Sequence, residues 1–250
     1  GPLLFPDISY SFYPVFCQLY AIDYKKIPLE KDFSINVENY QQPNGGIIFP
    51  NPNAPTGMLL GLECIEQLLE KNTDSVVVVD EAYIDFGGQT AAALINQYEN
   101  LLVVQTMSKS RSLAGMRVGY ALGSQHLIEG LNRIKNSFNS YPLGHLQVAA
   151  AVAAFDDKAH FEDSRQKIMS ERERVTSQLE AVNFDVLPST ANFVLARHRQ
   201  KSAEDLALLL REQGIIVRHF SKPRIDQYLR VTIGTEDQNN LLIDNLQKIL

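Results

Sequence analysis

The chain has 250 residues, 45% of them hydrophobic and 21% charged, values that fit a packed core and exclude wholesale disorder. Its net charge of −6 excludes nucleic acid as the main partner, because no overall positive field draws it. No apolar run is long enough to span a membrane and no charged-then-apolar signal opens the chain, so a cytoplasmic protein without membrane contact is expected.

Short apolar runs alternate with helical patterns in the first part of the chain, which predicts βα units around a mostly parallel sheet. Strands are expected at residues 3–5, 46–49, 75–79, 101–104 and 118–122. The β-branched run 76–79 has the composition of a central strand covered on both faces. Leu62, Ile65, Leu68 and Leu69 fall on one helical face, and Leu127, Leu131 and Ile134 on another. Cys17 and Cys64 form no CxxC pair and cannot build a disulfide framework, so they read as reduced apolar side chains.

The pattern changes after about residue 155. Phe161, Ile168, Val175 and Val182 recur every seven residues, with Leu179 on the same stripe, which predicts one long amphipathic helix. Strand 193–195, helix 203–213, strands 215–218 and 229–233 and a final helix are expected to follow. Ser202 with Asp205 and Thr235 with Gln238 have capping-box spacing, and Gly214 is placed to close the helix before it. The expected division is a large α/β domain over 1–155 and a small α+β domain over 156–250.

In an open parallel sheet, ligands collect beyond the carboxyl ends of the strands. Three expected strands end there in polar chemistry: residues 51–57 read NPNAPTG, 80–83 read DEAY, and 106–110 read TMSKS. An amide-rich turn, an acid, a phenol and a lysine would therefore converge on one crevice. None of the five histidines has metal-ligand spacing, and no metal site is expected. No GxGxxG turn or GxxxxGK[ST] loop for a nucleotide is present.

The series NPNAPTG, DEAYIDF, TMSKSRSLAGMRVGYAL and LRVTIG resembles the signature of class I/II aminotransferases with the fold type I architecture that depends on pyridoxal 5′-phosphate (PLP). Within that group, DISYSFYPV, SFNSYPL, ANFVLAR and GIIVRHF most resemble histidinol-phosphate aminotransferases, and the similarity covers essentially the whole chain. The resemblance implies a mostly parallel sheet flanked by helices, a smaller C-terminal α+β domain and a homodimer. It also implies conversion of L-histidinol phosphate and 2-oxoglutarate to imidazole-acetol phosphate and L-glutamate, as in histidine biosynthesis. An aromatic amino-acid aminotransferase, a phosphothreonine decarboxylase of the same fold and a non-catalytic remnant stay open as alternatives.

By the same resemblance, Lys109 matches the lysine that condenses with the cofactor aldehyde, Asp80 the carboxylate facing the ring nitrogen, and Tyr83 the phenol bonded to the ring oxygen. Arg117, Thr106 and Ser108 match the phosphate cradle, and Tyr10 the aromatic stacked on the ring. Arg230 matches the arginine for the substrate carboxylate, Arg218 one for the substrate phosphate, and Asn192 an asparagine that helps place them. Two departures stand out. Many relatives carry an asparagine before Pro-Thr-Gly where this chain has Ala54, so either the adjacent Asn53 substitutes in binding the cofactor or that hydrogen bond is absent. Family members also begin earlier, with an N-terminal arm, a first helix and a Gly-rich loop; this chain is expected to lack that segment, together with a strand partner and part of a dimer interface.

Overall fold

Six short strands make the first sheet of the computed structural model, which describes all 250 residues: β1 (Leu3–Pro6), β2 (Tyr24–Ile27), β3 (Gly46–Pro50), β4 (Val77–Asp80), β5 (Leu101–Thr106) and β6 (Gly119–Gly123). Their order is β2-β1-β3-β4-β5-β6, and every pair is parallel except β5 with β6. The central strands are the apolar runs of the sequence. Ile47, Phe49, Val77, Val79, Leu101 and Val103 are fully buried and form one cluster with Ile65, Leu68 and Leu69. Those three leucine-type residues come from α2 (Leu62–Lys71), which follows α1 (Phe12–Leu19) along the chain and covers the sheet with the expected face.

β2 falls outside the expected strands. It carries Lys25 and Lys26 at exposed positions and sits at the sheet edge, where charge blunts further pairing and hides the apolar alternation a strand would show. β6 runs antiparallel because no crossover helix separates it from β5; the connection doubles back, with Met107 N–H donating to the carbonyl of Val118 at 3.1 Å. That doubled-back stretch carries Lys109.

Three helices follow: α3 (Gln125–Phe138), α4 (His145–Asp156) and α5 (Lys158–Ala181). The break between the last two comes at Asp157, whose carboxylate accepts the His160 N–H at 3.0 Å and caps α5. Val175 and Leu179 of the seven-residue stripe are fully buried, while Ile168 packs against the same cluster. Val182 lies just past the helix end, and Phe161 instead sits beneath the Arg111 guanidinium, 3.6 Å from its ring centroid. None of the helices is long and apolar enough to cross a membrane.

The second sheet is antiparallel, with β7 (Phe184–Val186), β8 (Phe193–His198), β9 (Arg218–His219) and β10 (Leu229–Thr232) in the order β7-β8-β10-β9. Strand β7 was not expected from the sequence, and β9 is shorter than the expected 215–218. Ile215 instead bonds back to the carbonyl of Leu210 as the chain leaves α6 (Ala203–Glu212) through Gly214, at φ +76°. The last helix, α7 (Glu236–Ile249), opens with a reciprocal capping box between Thr235 and Gln238. Helices α5, α6 and α7 and this sheet enclose a second apolar cluster. A third cluster joins Ile8, Leu29 and Phe33 to Leu195, Ile225 and Tyr228, so the early chain packs directly on the second sheet.

Candidate active site

The parallel register brings β3, β4 and β5 to an end side by side. Pro50 pairs with Asp80 and Asp80 with Val104, and all three side chains line a cleft of about 440 Å³. Tyr10 and Ala54 close one wall. Ala82 and Tyr83, from the turn after β4, form another. Gln105, Thr106, Ser108, Lys109 and Arg117 enter from the β5–β6 connection, and Arg230 reaches in from β10.

Lys109 and Asp80 thus face one cavity. The Lys109 charge acts on the Asp80 carboxyl, and its Nζ lies 5.3 Å from the Tyr83 ring centroid. Lys109 supplies the single ammonium among the lining residues. Its loop is fastened at both sides, by the buried Met107 and by the Ser110 hydroxyl donating to the carboxylate of Asp85. Thr106 Oγ1 accepts the Ser108 N–H at 3.1 Å, which turns the chain just before the lysine. Arg117 adopts a left-handed backbone, φ 57° and ψ 37°, a conformation that is uncommon outside glycine and marks a position set by its surroundings.

Burial pushes the Asp80 carboxyl above the ordinary aspartate range; hydrogen bonds from the Tyr13 hydroxyl at 2.9 Å and the Ala82 N–H at 3.2 Å, with the Lys109 charge, pull it back in part. The neighbouring Glu81 points away from the cleft. Burial raises it too, against hydrogen bonds from the Thr90 hydroxyl at 2.5 Å, the Ala91 N–H at 2.6 Å and Gln105 Nε2 at 2.7 Å. Across the cleft, the Phe193 ring meets Tyr83 edge-on at 5.1 Å, and the Arg230 guanidinium lies 5.1 Å from the same ring. Arg230 Nε is buried without a hydrogen-bond partner.

Three expected site residues do not line the cleft. Asn53 is buried behind it, with Nδ2 donating to the Ile8 carbonyl and to Thr56 Oγ1, each at 3.0 Å, and with Oδ1 unpartnered. Asn192 is half-buried and its carbonyl accepts the Ile233 N–H at 2.9 Å. Arg218 is exposed on β9, directly across the ladder from Arg230. Two further residues of the site, Tyr13 behind the cleft and Gln105 lining it, carry no distinguishing signal in the sequence. Tyr13 follows Tyr10 by three residues in an aromatic-rich run, and nothing in that run says which ring reaches the acid.

The chemistry of the donor set fits a flat, anionic, carbonyl-bearing ligand. Aromatic rings flank the space, a carboxylate stands on the floor, and three cations (Lys109, Arg117 and Arg230, whose Nε is buried and unpartnered) supply donors for anionic groups together with the Thr106 and Ser108 hydroxyls. A mostly parallel sheet with this cleft at its carboxyl edge, joined to a small antiparallel sheet, is the architecture of the PLP-dependent transferases of fold type I. The family described as aminotransferase class I and II matches residues 2–246. The chain belongs to that family. It is 63% identical over 246 residues to a histidinol-phosphate aminotransferase of Pseudomonas putida (strain W619), a match covering 98% of this chain and 71% of that one. Among solved structures, histidinol-phosphate aminotransferase from Clostridium acetobutylicum superposes with a TM-score of 0.93 at 25% identity, covering 100% of this chain and 78% of the other. The enzyme of that name from Sinorhizobium meliloti, solved with pyridoxal-5′-phosphate, gives 0.88 at 20% identity over 100% and 70% of the two chains, a likeness of fold.

Proposed function

We propose that the chain transaminates L-histidinol phosphate with 2-oxoglutarate, giving imidazole-acetol phosphate and L-glutamate, and that it uses PLP to do so in the cytoplasm. The observation that carries the reading is the single cleft that joins an ammonium, a carboxylate, a phenol and an arginine at the ends of three parallel strands. Relatives about 60% identical over nearly the whole chain bear the name histidinol-phosphate aminotransferase, and this favours that substrate over the aromatic, decarboxylase and remnant alternatives. The unpaired thiols of Cys17 and Cys64 agree with a reducing compartment.

When bound, the cofactor supplies an aldehyde for amine exchange and a ring that withdraws electrons from the substrate Cα. The residues of this chain would do the rest. Lys109 is assigned the covalent tether and the proton carrier at Cα, since it is the free amine of the cleft. Asp80 holds the proton on the ring nitrogen; Tyr83 donates to the ring oxygen, and Tyr10 covers a ring face. Thr106, Ser108 and Arg117 take the phosphate, with Asn53 shaping the adjoining turn. Arg230 binds the carboxylate through donors that include its unpartnered Nε. Arg218 takes the phosphate of the substrate, and Asn192 helps to place both groups.

The division into domains at 1–155 and 156–250 belongs to the same reading, supported by the two sheets and their separate apolar clusters. A homodimer is proposed through the exposed apolar faces at Phe12, Phe16 and Leu19 of α1 and at Phe138, Leu146 and Val152 of α3 and α4.

Glutamate production from L-histidinol phosphate and 2-oxoglutarate, with PLP added, tests the substrate. Histidinol phosphate is expected to react faster than unphosphorylated histidinol or phenylalanine. A faster reaction with an aromatic amino acid, or carbon dioxide release from phosphothreonine, would overturn the assignment.

A further inference from the structure

The buried phenol of Tyr13, 5% exposed on α1, makes one hydrogen bond, to Oδ2 of Asp80 at 2.9 Å. The other oxygen, Oδ1, accepts the Ala82 N–H at 3.2 Å. Both carboxylate oxygens are therefore held before any ligand arrives. The same Tyr13 ring supports the opposite side of the cleft, because Tyr10 packs against it at 80° with centroids 5.5 Å apart. Phe5 closes the far side at 5.8 Å. One side chain outside the cleft thus touches both the acid on its floor and the aromatic on its wall.

A phenolic O–H directed at a partly desolvated carboxylate favours the charged form and fixes its plane, because a charge-assisted hydrogen bond is stronger and more directional than a neutral one. An aspartate in contact only with the Ala82 N–H would be freer to rotate about its terminal torsion, which is broad in the absence of partners. Nothing else in the cleft offers that oxygen a hydrogen bond.

We infer that Tyr13 is a positioning residue that orients the Asp80 carboxylate toward the protonated ring nitrogen of the cofactor while backing Tyr10. The inference rests on the PLP reading above and goes beyond it, since it assigns the acid's effectiveness to a residue that never touches the ligand.

The test uses the full chain, as wild type and as Tyr13→Phe, which keeps the ring against Tyr10 and removes only the hydroxyl. Dissociation constants are measured by equilibrium dialysis for PLP and for its analogue with carbon in place of the ring nitrogen. The hydroxyl acts through that nitrogen, so Tyr13→Phe weakens PLP by about tenfold, the size of one hydrogen bond to a charged group, and leaves the analogue within about twofold. In an Asp80→Asn background the same substitution changes neither constant. Equal weakening of both ligands would mean a packing role alone and overturn the inference, as would no weakening of either. A wild-type chain that binds neither ligand would overturn the cofactor reading itself, an outcome distinct from the other two. The unliganded melting temperature of Tyr13→Phe and of the double variant reports whether each folds. Should the single variant fail to fold, a double variant that still differs from Asp80→Asn in PLP affinity would overturn the inference.

Discussion

Arg172 Nη1 donates to the carbonyl of Phe86 at 2.8 Å, joining α5 to the turn that leaves Tyr83, and the same nitrogen reaches the Ala191 carbonyl at 3.0 Å. A guanidinium only 7% exposed thus ties the back of the cleft to the segment that carries Asn192 and Phe193. Replacing it with methionine keeps most of the apolar stem but leaves two buried carbonyls unpaired. Arg172→Met is expected to lose about 2–4 kcal/mol in urea unfolding, and Arg172→Lys to recover only part of it, because an ammonium lacks the planar fork.

Gly57 closes the turn at residues 51–57 with φ +81°, and its carbonyl accepts the Thr190 N–H at 2.9 Å. A Cβ there would overlap Ser189 Oγ and stand 2.8 Å from Ser189 Cβ, closer than packed atoms allow. Gly57→Ala combines that overlap with a left-handed backbone, and a loss of about 1–3 kcal/mol is expected by thermal melting, with the cleft loosened at Ala54.

The acid at the cleft floor gives a pH signature. Burial lifts the Asp80 carboxyl above its unfolded value, so the folded state holds that proton more tightly than the unfolded state. The group therefore stabilises the unliganded fold at low pH, and this contribution is lost as pH rises through the folded value. Asp80→Asn removes the titration while keeping an acceptor for the Ala82 N–H. The unliganded variant should melt above wild type at neutral pH, with the gap closing below about pH 4, near the ordinary aspartate value. A gap that stays constant with pH would contradict this account.

Much of this arrangement was legible in the sequence, and the reasons are specific. The run 76–79 and its neighbours announce central strands because one face of each is fully buried and the other is at least half-covered, so apolar residues need not alternate with polar ones. Asp80 ends one such run and Lys109 follows another by a few residues, so the parallel strands carry both toward one edge, where the fastened β5–β6 connection sets the lysine. Lys25 and Lys26 hid β2, because an edge strand with one wet face lacks that signal. Tyr13 and Arg172 were missed for another reason: their partners lie 67 and 86 residues away, and no local pattern encodes a contact that tertiary packing creates.

Arg230 and Arg218 face each other across the β9–β10 ladder, yet only Arg230 lines the cleft. Their substitutions should separate in kinetics. Arg230→Ala is expected to raise KM for every carboxylate substrate, while Arg218→Ala is expected to cut kcat/KM for the phosphorylated donor by about tenfold or more and spare glutamate. Equal losses on both substrates with Arg218→Ala would remove its phosphate role.

The central claim is that the Lys109 amine forms the covalent bond to the cofactor. Borohydride added to the full chain with PLP, followed by peptide mass mapping, tests this directly. The account predicts one pyridoxyl-phosphate mass on the peptide containing Lys109, and none there in Lys109→Ala. Label on other surface lysines with Lys109 unmodified would contradict it.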